Sequence, residues 1–329
     1  MTAPEERDDV SELEREQCEA LAQRGFDLVK EGKYDEALAV AEELAAHGYT
    51  AYFEIRALAL AELDQKEEAV VTLEKGVGIA PSVWLLWQLL GNYRSDLGRY
   101  DAAHDAYARA LECPEVEPSS VHLNRAAALA REDRAEEAFE ALAQVTDPAL
   151  ELRRESSRVG FLVDADRYPE AVKAARKTLD REWGDGNGGL LATVQAELAW
   201  ALHRMGATRD EVEAEIWQAL ERERRNRRAL WVLREIDRQV SNTASYYRLL
   251  VHGQVPDEYD ADVNGYFVTY EVVADSPEEA LALAARHQPE LLRSALRIEE
   301  CEALEPRPED PKGVYWVSGL IFFPDDTSG

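Results

Sequence analysis

Cysteine is scarce in this chain, and its few copies lie far apart. Three cysteines stand among 329 residues, at Cys18, Cys113 and Cys301. Their number is odd, and they show none of the short spacings that metal sites and disulfide frameworks use. We therefore expect free thiols, no bound metal and a reducing compartment, which is the cytoplasm.

Long apolar runs are also missing. No stretch of about 18 apolar residues occurs, and the first residues, Met1 to Glu19, are rich in Glu and Asp, with no apolar segment typical of a signal peptide. The sequence therefore predicts neither a membrane span nor a membrane partner.

Basic side chains are outnumbered. The chain has 37 Lys and Arg against 66 Asp and Glu, a formal net charge of -29. This balance excludes nucleic acid and anionic membranes as favoured partners and favours a basic protein. Arg outnumbers Lys by 30 to 7 and Ala is abundant, which we interpret as the codon bias of a GC-rich, bacterial genome.

Motifs for catalysis or cofactor binding are absent from the sequence. No two of the six histidines have the i, i+4 spacing of a helical metal site. The glycine cluster at 184–189 lacks the spacing of a phosphate-binding loop, so we interpret it as an inter-helix loop. A G-x-S-x-G nucleophile motif does not occur. We predict that the protein is not an enzyme and binds no cofactor.

What the sequence does contain is a helical repeat. Residues 82–114 read SVWLLWQLLGNYRSDLGRYDAAHDAYARALECP, with small residues at Gly91 and Ala103, a glycine at Gly98 and aromatic residues at Tyr100 and Tyr107. Small side chains suit the crossing of two helices, and a glycine with positive φ suits the end of the first helix. The aromatic rings would fill the space between neighbouring helix pairs.

This order of residues resembles the tetratricopeptide repeat, a family of helical hairpins that stack into solenoids. Arg94 replaces the usual Tyr and Pro114 comes one residue early. The same unit recurs with its small second-helix residue at Ala37, Ala69, Ala138 and Ala171, and a sixth unit spans Leu190 to Glu221. We predict a mainly α fold, with about six helix pairs and a capping helix over Asn226 to Val240.

The period of the apolar residues changes from about 3.6 to 2 after residue 241, which predicts a second domain. Strands are expected at Tyr246–Val255, Tyr266–Ala274, Ala295–Leu304 and Val314–Phe323, with a helix after Ser276. The predicted domains are an acidic segment at 1–16, the tetratricopeptide solenoid at 17–241 and a small α+β domain at 242–329, of order strand, strand, helix, strand, strand.

The resemblance implies that a protein or peptide partner binds in a groove lined by the first helix of each pair. The corresponding residues here are Phe26, Leu58, Leu85, Gln88, Asn92, Leu123, Asn124 and Trp200. Relatives that grip the carboxylate tail of chaperones use a Lys and an Asn one turn apart. Gln88 and Asn92 do not match that pair, so we expect an extended or helical peptide held by apolar and amide contacts.

Two other functions stay open. The acidic charge also suits an immunity-type inhibitor that neutralises a basic toxin, which a neighbouring toxin gene would support. A catalytic C-terminal domain regulated by the repeats would need a polar cluster, for which His252, Tyr259, Glu271 and Tyr315 are the candidates. The arginines at 222, 224, 225, 227 and 228 suggest either a docking site for acidic groups or a solvated face, and we favour the solvated face.

Overall fold

The computed structural model describes residues 12–255, 263–288, 292–293 and 295–324. Residues 1–11 of the predicted acidic segment and the candidate Tyr259 lie outside these ranges. The helices are α1 (Glu12–Lys30), α2 (Tyr34–Ala46), α3 (Ala51–Glu62), α4 (Lys66–Ile79), α5 (Trp84–Asp96), α6 (Tyr100–Glu112), α7 (Pro118–Arg131), α8 (Ala135–Ala143), a 3-10 helix (Pro148–Leu150), α9 (Glu151–Asp164), α10 (Tyr168–Leu179), α11 (Gly188–Arg204), α12 (Arg209–Arg222), α13 (Arg227–Glu235) and α14 (Pro277–Arg286). The strands are β1 (Ser245–Gln254), β2 (Val263–Ala274), β3 (Arg297–Pro306), β4 (Gly313–Val317) and β5 (Ile321–Pro324).

The chain divides into two compact units. The first unit ends at Arg154, and the second begins at Glu155 and contains the later helices together with the strands. This division groups α10 to α13 with the sheet. The domain boundary at 241/242 stays a prediction.

The first unit is built from helical hairpins whose crossings are lined by alanine. The helices pair as α1 with α2, α3 with α4, α5 with α6 and α7 with α8, and the first helices also contact one another in the row α1, α3, α5, α7. The predicted small residues Ala37, Ala69, Ala103 and Ala138 are all completely buried. These methyl groups fit where two backbones approach, as the sequence predicted.

Gly91 allows the tightest of these approaches in the third hairpin. A Cβ atom built on Gly91 would lie 2.6 Å from a ring carbon of Tyr107, and Tyr107 itself is 1% exposed. The Tyr107 hydroxyl donates a hydrogen bond of 2.9 Å to Oδ1 of Asn92, on the same helix as Gly91. The ring therefore fills the space that glycine leaves open, and its polar end is satisfied.

A residue with positive φ ends the first helix of each hairpin. In the third hairpin this residue is Gly98, with φ of 72°, and its N–H donates to the carbonyl of Ser95. Asp64 and Asp133 occupy the equivalent positions with φ of 61° and 57°. Glycine adopts this positive φ at the lowest steric cost. Aspartate is the next best residue, because its short polar side chain tolerates the conformation.

We expect Gly98→Ala to lower the free energy of unfolding by about 1 kcal/mol, because alanine pays a steric penalty at positive φ. Urea denaturation followed by circular dichroism measures the change. Gly78→Ala is the matched control, because Gly78 lies in α4 with no neighbouring atom within 4 Å of a built Cβ and no positive φ. An equal loss in both variants would contradict the prediction.

The second unit joins α11 to α13 and the sheet around one hydrophobic core, which includes Ala199, Leu230, Leu249 and Tyr270. The predicted capping helix at 226–240 is shorter than expected, because α13 ends at Glu235 and Arg238 has φ of 30°. It also packs on β4.

Arg234 holds this contact between α13 and β4. Its guanidinium donates to the carbonyl of Val314 at 2.7 Å and lies 3.8 Å from the ring centroid of Tyr315. A Cβ on Gly313 would lie 2.7 Å from Cγ of Arg234. The helix therefore ties the helical part of this unit to the sheet and does not only end a stack of repeats.

The strands form an antiparallel sheet of order β3-β1-β2-β4, with β5 also paired to β2. The predicted single strand at 314–323 is two strands, because Ser318 interrupts the ladder. Its Oγ accepts from the N–H of Thr269 at 2.9 Å while its own N–H donates to the Thr269 carbonyl. Helix α14 contacts β1 and β2, as predicted for an α+β layer, and begins with Ser276 capping the N–H of Glu279.

Candidate functional site

The predicted groove residues lie on first helices, mostly in the first unit. Trp200 belongs to the second unit, on α11, and the other seven lie before Arg154. Within the first unit the row α1, α3, α5, α7 places these seven on neighbouring helices.

Three apolar groove residues remain available for contact. Phe26, Leu58 and Leu85 are partly exposed, whereas Leu123 is buried at 8% exposure. The accessible apolar surface therefore comes from α1, α3 and α5, and Leu123 contributes to packing.

The predicted amide residues are partly engaged with the protein itself. Gln88 is 6% exposed, and its Oε1 accepts from the Ser120 hydroxyl at 3.1 Å. Asn92 accepts from Tyr107 through Oδ1, and Nδ2 of Asn124 donates to the Ser120 carbonyl at 3.1 Å. The amide oxygens of Gln88 and Asn92 thus accept hydrogen bonds from neighbouring helices. Because the oxygens are held in this way, the direction of both amide nitrogens is also fixed.

Trp200 packs inside the second unit. Its ring lies edge-on to Trp231 with centroids 4.7 Å apart, and it also lies 5.4 Å from the ring of His203. The ring borders the core that continues into the sheet. Its observed contacts are therefore with its own unit.

Glu54 is a groove residue that the sequence reasoning missed. It lies on α3, one turn before Leu58, and is partly buried. Burial raises the pKa of this carboxyl to about 7, and within the described residues no hydrogen bond or ion pair reaches it. The available signal was the repeat spacing, since 34 residues separate Glu54 from Gln88 and Leu58 from Asn92.

The acidic charge is unevenly placed along the chain. Residues 12–154 contain 29 acidic and 15 basic side chains, whereas residues 155–243 contain 16 and 15. Residues 244–329 contain 17 and 6. The helices of the first unit and the strand region are therefore the acidic parts, and the segment between them is nearly neutral.

The arginine cluster is not uniformly solvated, which corrects our preferred interpretation for two of its members. Arg224 donates to the Tyr270 hydroxyl at 2.6 Å and to Oε1 of Gln288 at 2.8 Å. Arg228 pairs with Glu197 at 2.8 Å and lies over the ring of Trp231. Arg222, Arg225 and Arg227 are exposed, as expected.

The three candidate catalytic residues that the structure describes in the C-terminal part do not form one cluster, although Tyr246 contacts both Glu271 and Tyr315. His252 packs between Phe267 and Phe323, with centroid distances of 5.3 and 5.5 Å. Glu271 accepts from the Tyr246 hydroxyl at 2.8 Å and pairs with Arg248. The Tyr315 hydroxyl donates to the Pro311 carbonyl.

The described ranges contain no group of three or more His, Cys, Asp or Glu side chains arranged to hold a metal ion. Among the helices so described, none has both the length and the apolar character needed to cross a membrane.

Comparisons with known proteins agree on the helical fold. A family model of the tetratricopeptide repeat matches residues 86–113. A tetratricopeptide repeat protein from Parabacteroides merdae is 13% identical, and the alignment covers 68% of this chain and 86% of that one with a TM-score of 0.52. The Cut9-Hcn1 hetero-tetramer of APC/C gives 14% identity, 66% and 42% coverage and a TM-score of 0.51. Curated protein sequences give no match.

Identities this low establish a common fold and no common activity. The matched segment 86–113 coincides with α5 and α6, the hairpin that contains Gly91, Gly98 and Tyr107. The chain therefore carries a tetratricopeptide repeat at residues 86–113, and its helical hairpins have the tetratricopeptide-repeat fold.

Proposed function

We propose that this protein is a non-enzymatic interaction adaptor that binds a basic protein or peptide on the first-helix face of its N-terminal unit. This face is defined by Phe26, Glu54, Leu58, Leu85 and Asn92. It combines apolar side chains with one carboxylate and one amide, that of Asn92. We further propose that binding takes place in the cytoplasm.

The carboxylate of Glu54 carries this proposal. Keeping an ionisable group partly buried without a protein partner costs stability, as its pKa of about 7 records. A Lys or Arg side chain of a partner would restore the missing ion pair. Leu58, one turn away on α3, would cover the aliphatic part of that side chain.

The charge of the unit supports the same partner class. With 29 acidic and 15 basic side chains, residues 12–154 attract cations over a distance of about 10 Å at moderate salt. Such a field speeds the encounter with a basic segment. The contacts of Glu54 then determine where on the face that segment binds.

A peptide selection on the full-length protein tests the proposal. We expect a random-peptide display library to enrich sequences that combine Lys or Arg with apolar residues. Glu54→Gln should weaken a selected peptide about tenfold or more in calorimetric titration, since an ion pair with hydrogen bonds is lost. Leu58→Ala should also weaken it, and Glu43→Gln, on the exposed side of α2, should leave the affinity unchanged.

The pH dependence gives a second readout with a peptide that lacks histidine. Because the pKa of Glu54 is about 7, the free protein loses the ionised carboxylate on acidification. We expect affinity to fall about tenfold from pH 8 to pH 6 in the wild type, and not in Glu54→Gln. Selected peptides without basic residues, or equal affinities for both proteins, would refute the proposal.

An immunity-type inhibitor is the second candidate, and the acidic bias of residues 12–154 favours it. A basic toxin would meet the same face. Co-expression with a toxin encoded next to this gene should then restore growth with the wild type and less well with Glu54→Gln.

A further inference from the structure

We propose a second binding site, in the C-terminal unit, that takes a small carboxylate with an apolar body. The site is a cavity of about 510 Å³ lined by Trp217, Leu220, Glu221, Arg224, His287, Gln288, Arg293 and Leu320. Cavities of this size are typical of small-molecule sites. We name it the α12–α14 cavity, because most of its lining residues lie in α12 or directly after α12 and α14.

Two side chains of this cavity are buried with unpartnered polar atoms. His287 is 6% exposed and Gln288 is 1% exposed. Neither ring nitrogen of His287 makes a hydrogen bond of normal geometry to the described residues, and the same holds for Nε2 of Gln288. Buried polar atoms without partners are rare in folded proteins, and they mark places where a ligand or water can bind.

The unpartnered atoms are mainly donors. Gln288 accepts from Arg224 through Oε1, which fixes its amide orientation because a guanidinium cannot donate to an amide nitrogen. Its Nε2 lies near the Tyr270 hydroxyl but makes no hydrogen bond of normal geometry, so it still offers N–H groups. Nε of Arg224 is also buried and unpartnered.

His287 adds a neutral ring. Burial, followed by the charge of Arg224, lowers the pKa of His287 to about 3, and a long hydrogen-bonding contact between the ring and the Arg224 backbone raises it again only in part. The imidazole is therefore uncharged near neutral pH. The donors of Arg224 and Gln288 call for an acceptor-rich group.

The charges at the cavity favour an anion. Arg224 and Arg293 are cationic and Glu221 is anionic, a balance opposite in sign to the chain as a whole. Arg293 lies at the exposed rim, where it donates to the carbonyls of Gln288 and Arg286. A guanidinium with a free N–H binds a carboxylate well.

The remaining walls are apolar. Trp217, Leu220 and Leu320 offer an aromatic face and two aliphatic side chains, and Leu220 is almost completely buried. An apolar ligand body gains by leaving water here. A carboxylate attached to an aromatic or aliphatic group satisfies both the donors and these walls.

The test uses phenylacetate as the probe, titrated into the 15N-labelled full-length protein. We expect saturable NMR shifts at the Gln288 side-chain amide, Nε–H of Arg224 and the indole N–H of Trp217. Phenylacetamide, which has no charge, should bind at least tenfold more weakly. Inorganic phosphate should also bind more weakly, because it gains nothing from the apolar walls.

Gln288→Glu is the decisive variant. It keeps an acceptor for Arg224 and adds a negative charge in the cavity, so phenylacetate should bind at least tenfold more weakly. Gln218→Glu is the matched control, because Gln218 is exposed, pairs with Gln195 and does not line the cavity. If Gln288→Glu does not fold, Arg293→Gln at the rim should still weaken binding several-fold.

A peptide with a free C-terminal Phe carboxylate distinguishes the two sources of such a ligand. Tighter binding than phenylacetate, lost on C-terminal amidation, identifies a chain terminus, whereas weaker binding identifies a free acid. The proposal fails if phenylacetamide binds as well as phenylacetate, if phosphate binds more tightly, if Gln288→Glu binds like the wild type, or if no saturable shift appears.

Discussion

Tyr107→Ala should lower the free energy of unfolding by about 3–5 kcal/mol, the range for removing a large aromatic side chain from a packed core. Tyr107 is 1% exposed, and its ring lies where a Cβ on Gly91 would stand. Helices that meet across a glycine cannot close the resulting cavity with another side chain from that position. The loss should therefore fall near the upper end of the range.

A further variant separates the stability contributed by the Tyr107 ring from that contributed by its hydroxyl, and a control variant tests the effect of burial. Tyr107→Phe removes only the hydrogen bond to Asn92 and should cost about 1 kcal/mol. Tyr100→Ala is the matched control on the same helix, because Tyr100 is only partly buried. Hydrogen exchange measured on α5 and α6 peptides localises the effect within the first unit. Equal losses for Tyr100→Ala and Tyr107→Ala would contradict the packing argument.

Glu54→Gln should stabilise the protein at pH 8 by about 1–3 kcal/mol. The pKa of Glu54 is raised from 4.5 to about 7 in the folded state. Ionisation is therefore harder in the folded than in the unfolded chain, and its cost is absent below pH 4.5, grows up to pH 7 and is complete above it. Because the carboxyl is partly exposed, the expected gain in free energy is smaller than the value that the full pKa shift would give.

Urea denaturation of wild type and variant at pH 5 and pH 8 measures this difference. The gain from Glu54→Gln should be large at pH 8 and small at pH 5, because pH 5 lies only slightly above the unfolded pKa of 4.5 and little of the cost of ionisation has developed there. Glu43→Gln, an exposed glutamate on α2, should change stability by less than about 0.5 kcal/mol at either pH. A gain independent of pH would show that ionisation is not its cause.

The stability and binding predictions for Glu54 have opposite signs. If the carboxylate serves a partner, its replacement strengthens the fold and weakens binding, a trade-off that is common at binding sites. Loss of binding in a more stable variant cannot result from unfolding. The two measurements together therefore separate a functional role from a structural one.

Local pattern was enough to predict the repeat. Alanines at 37, 69, 103 and 138 recur at nearly constant spacing, and a helix crossing admits little else. Gly98 indicated that the first helix ends there in the left-handed conformation, because glycine adopts positive φ without steric cost. The strand segments of the sheet followed from alternating apolar residues, since a two-residue period places one face against a helix.

Contacts between residues distant in sequence were not predictable in this way. The strand at 314–323 breaks at Ser318 because this side chain meets Thr269 of β2. Arg224 is partly buried because its guanidinium donates hydrogen bonds to Tyr270 and Gln288. Periodicity describes which side of its own element a residue occupies, and it does not identify the partner across from it.

The amino-acid sequence by itself determined the helical hairpins, their tetratricopeptide character and the antiparallel sheet that follows them. Only the tertiary structure decided which polar groups of the described residues lack a partner, among them the Glu54 carboxylate and atoms in the α12–α14 cavity. The reason is physical. Hairpins form from neighbouring residues, whereas the satisfaction of a buried charge depends on every element packed around it.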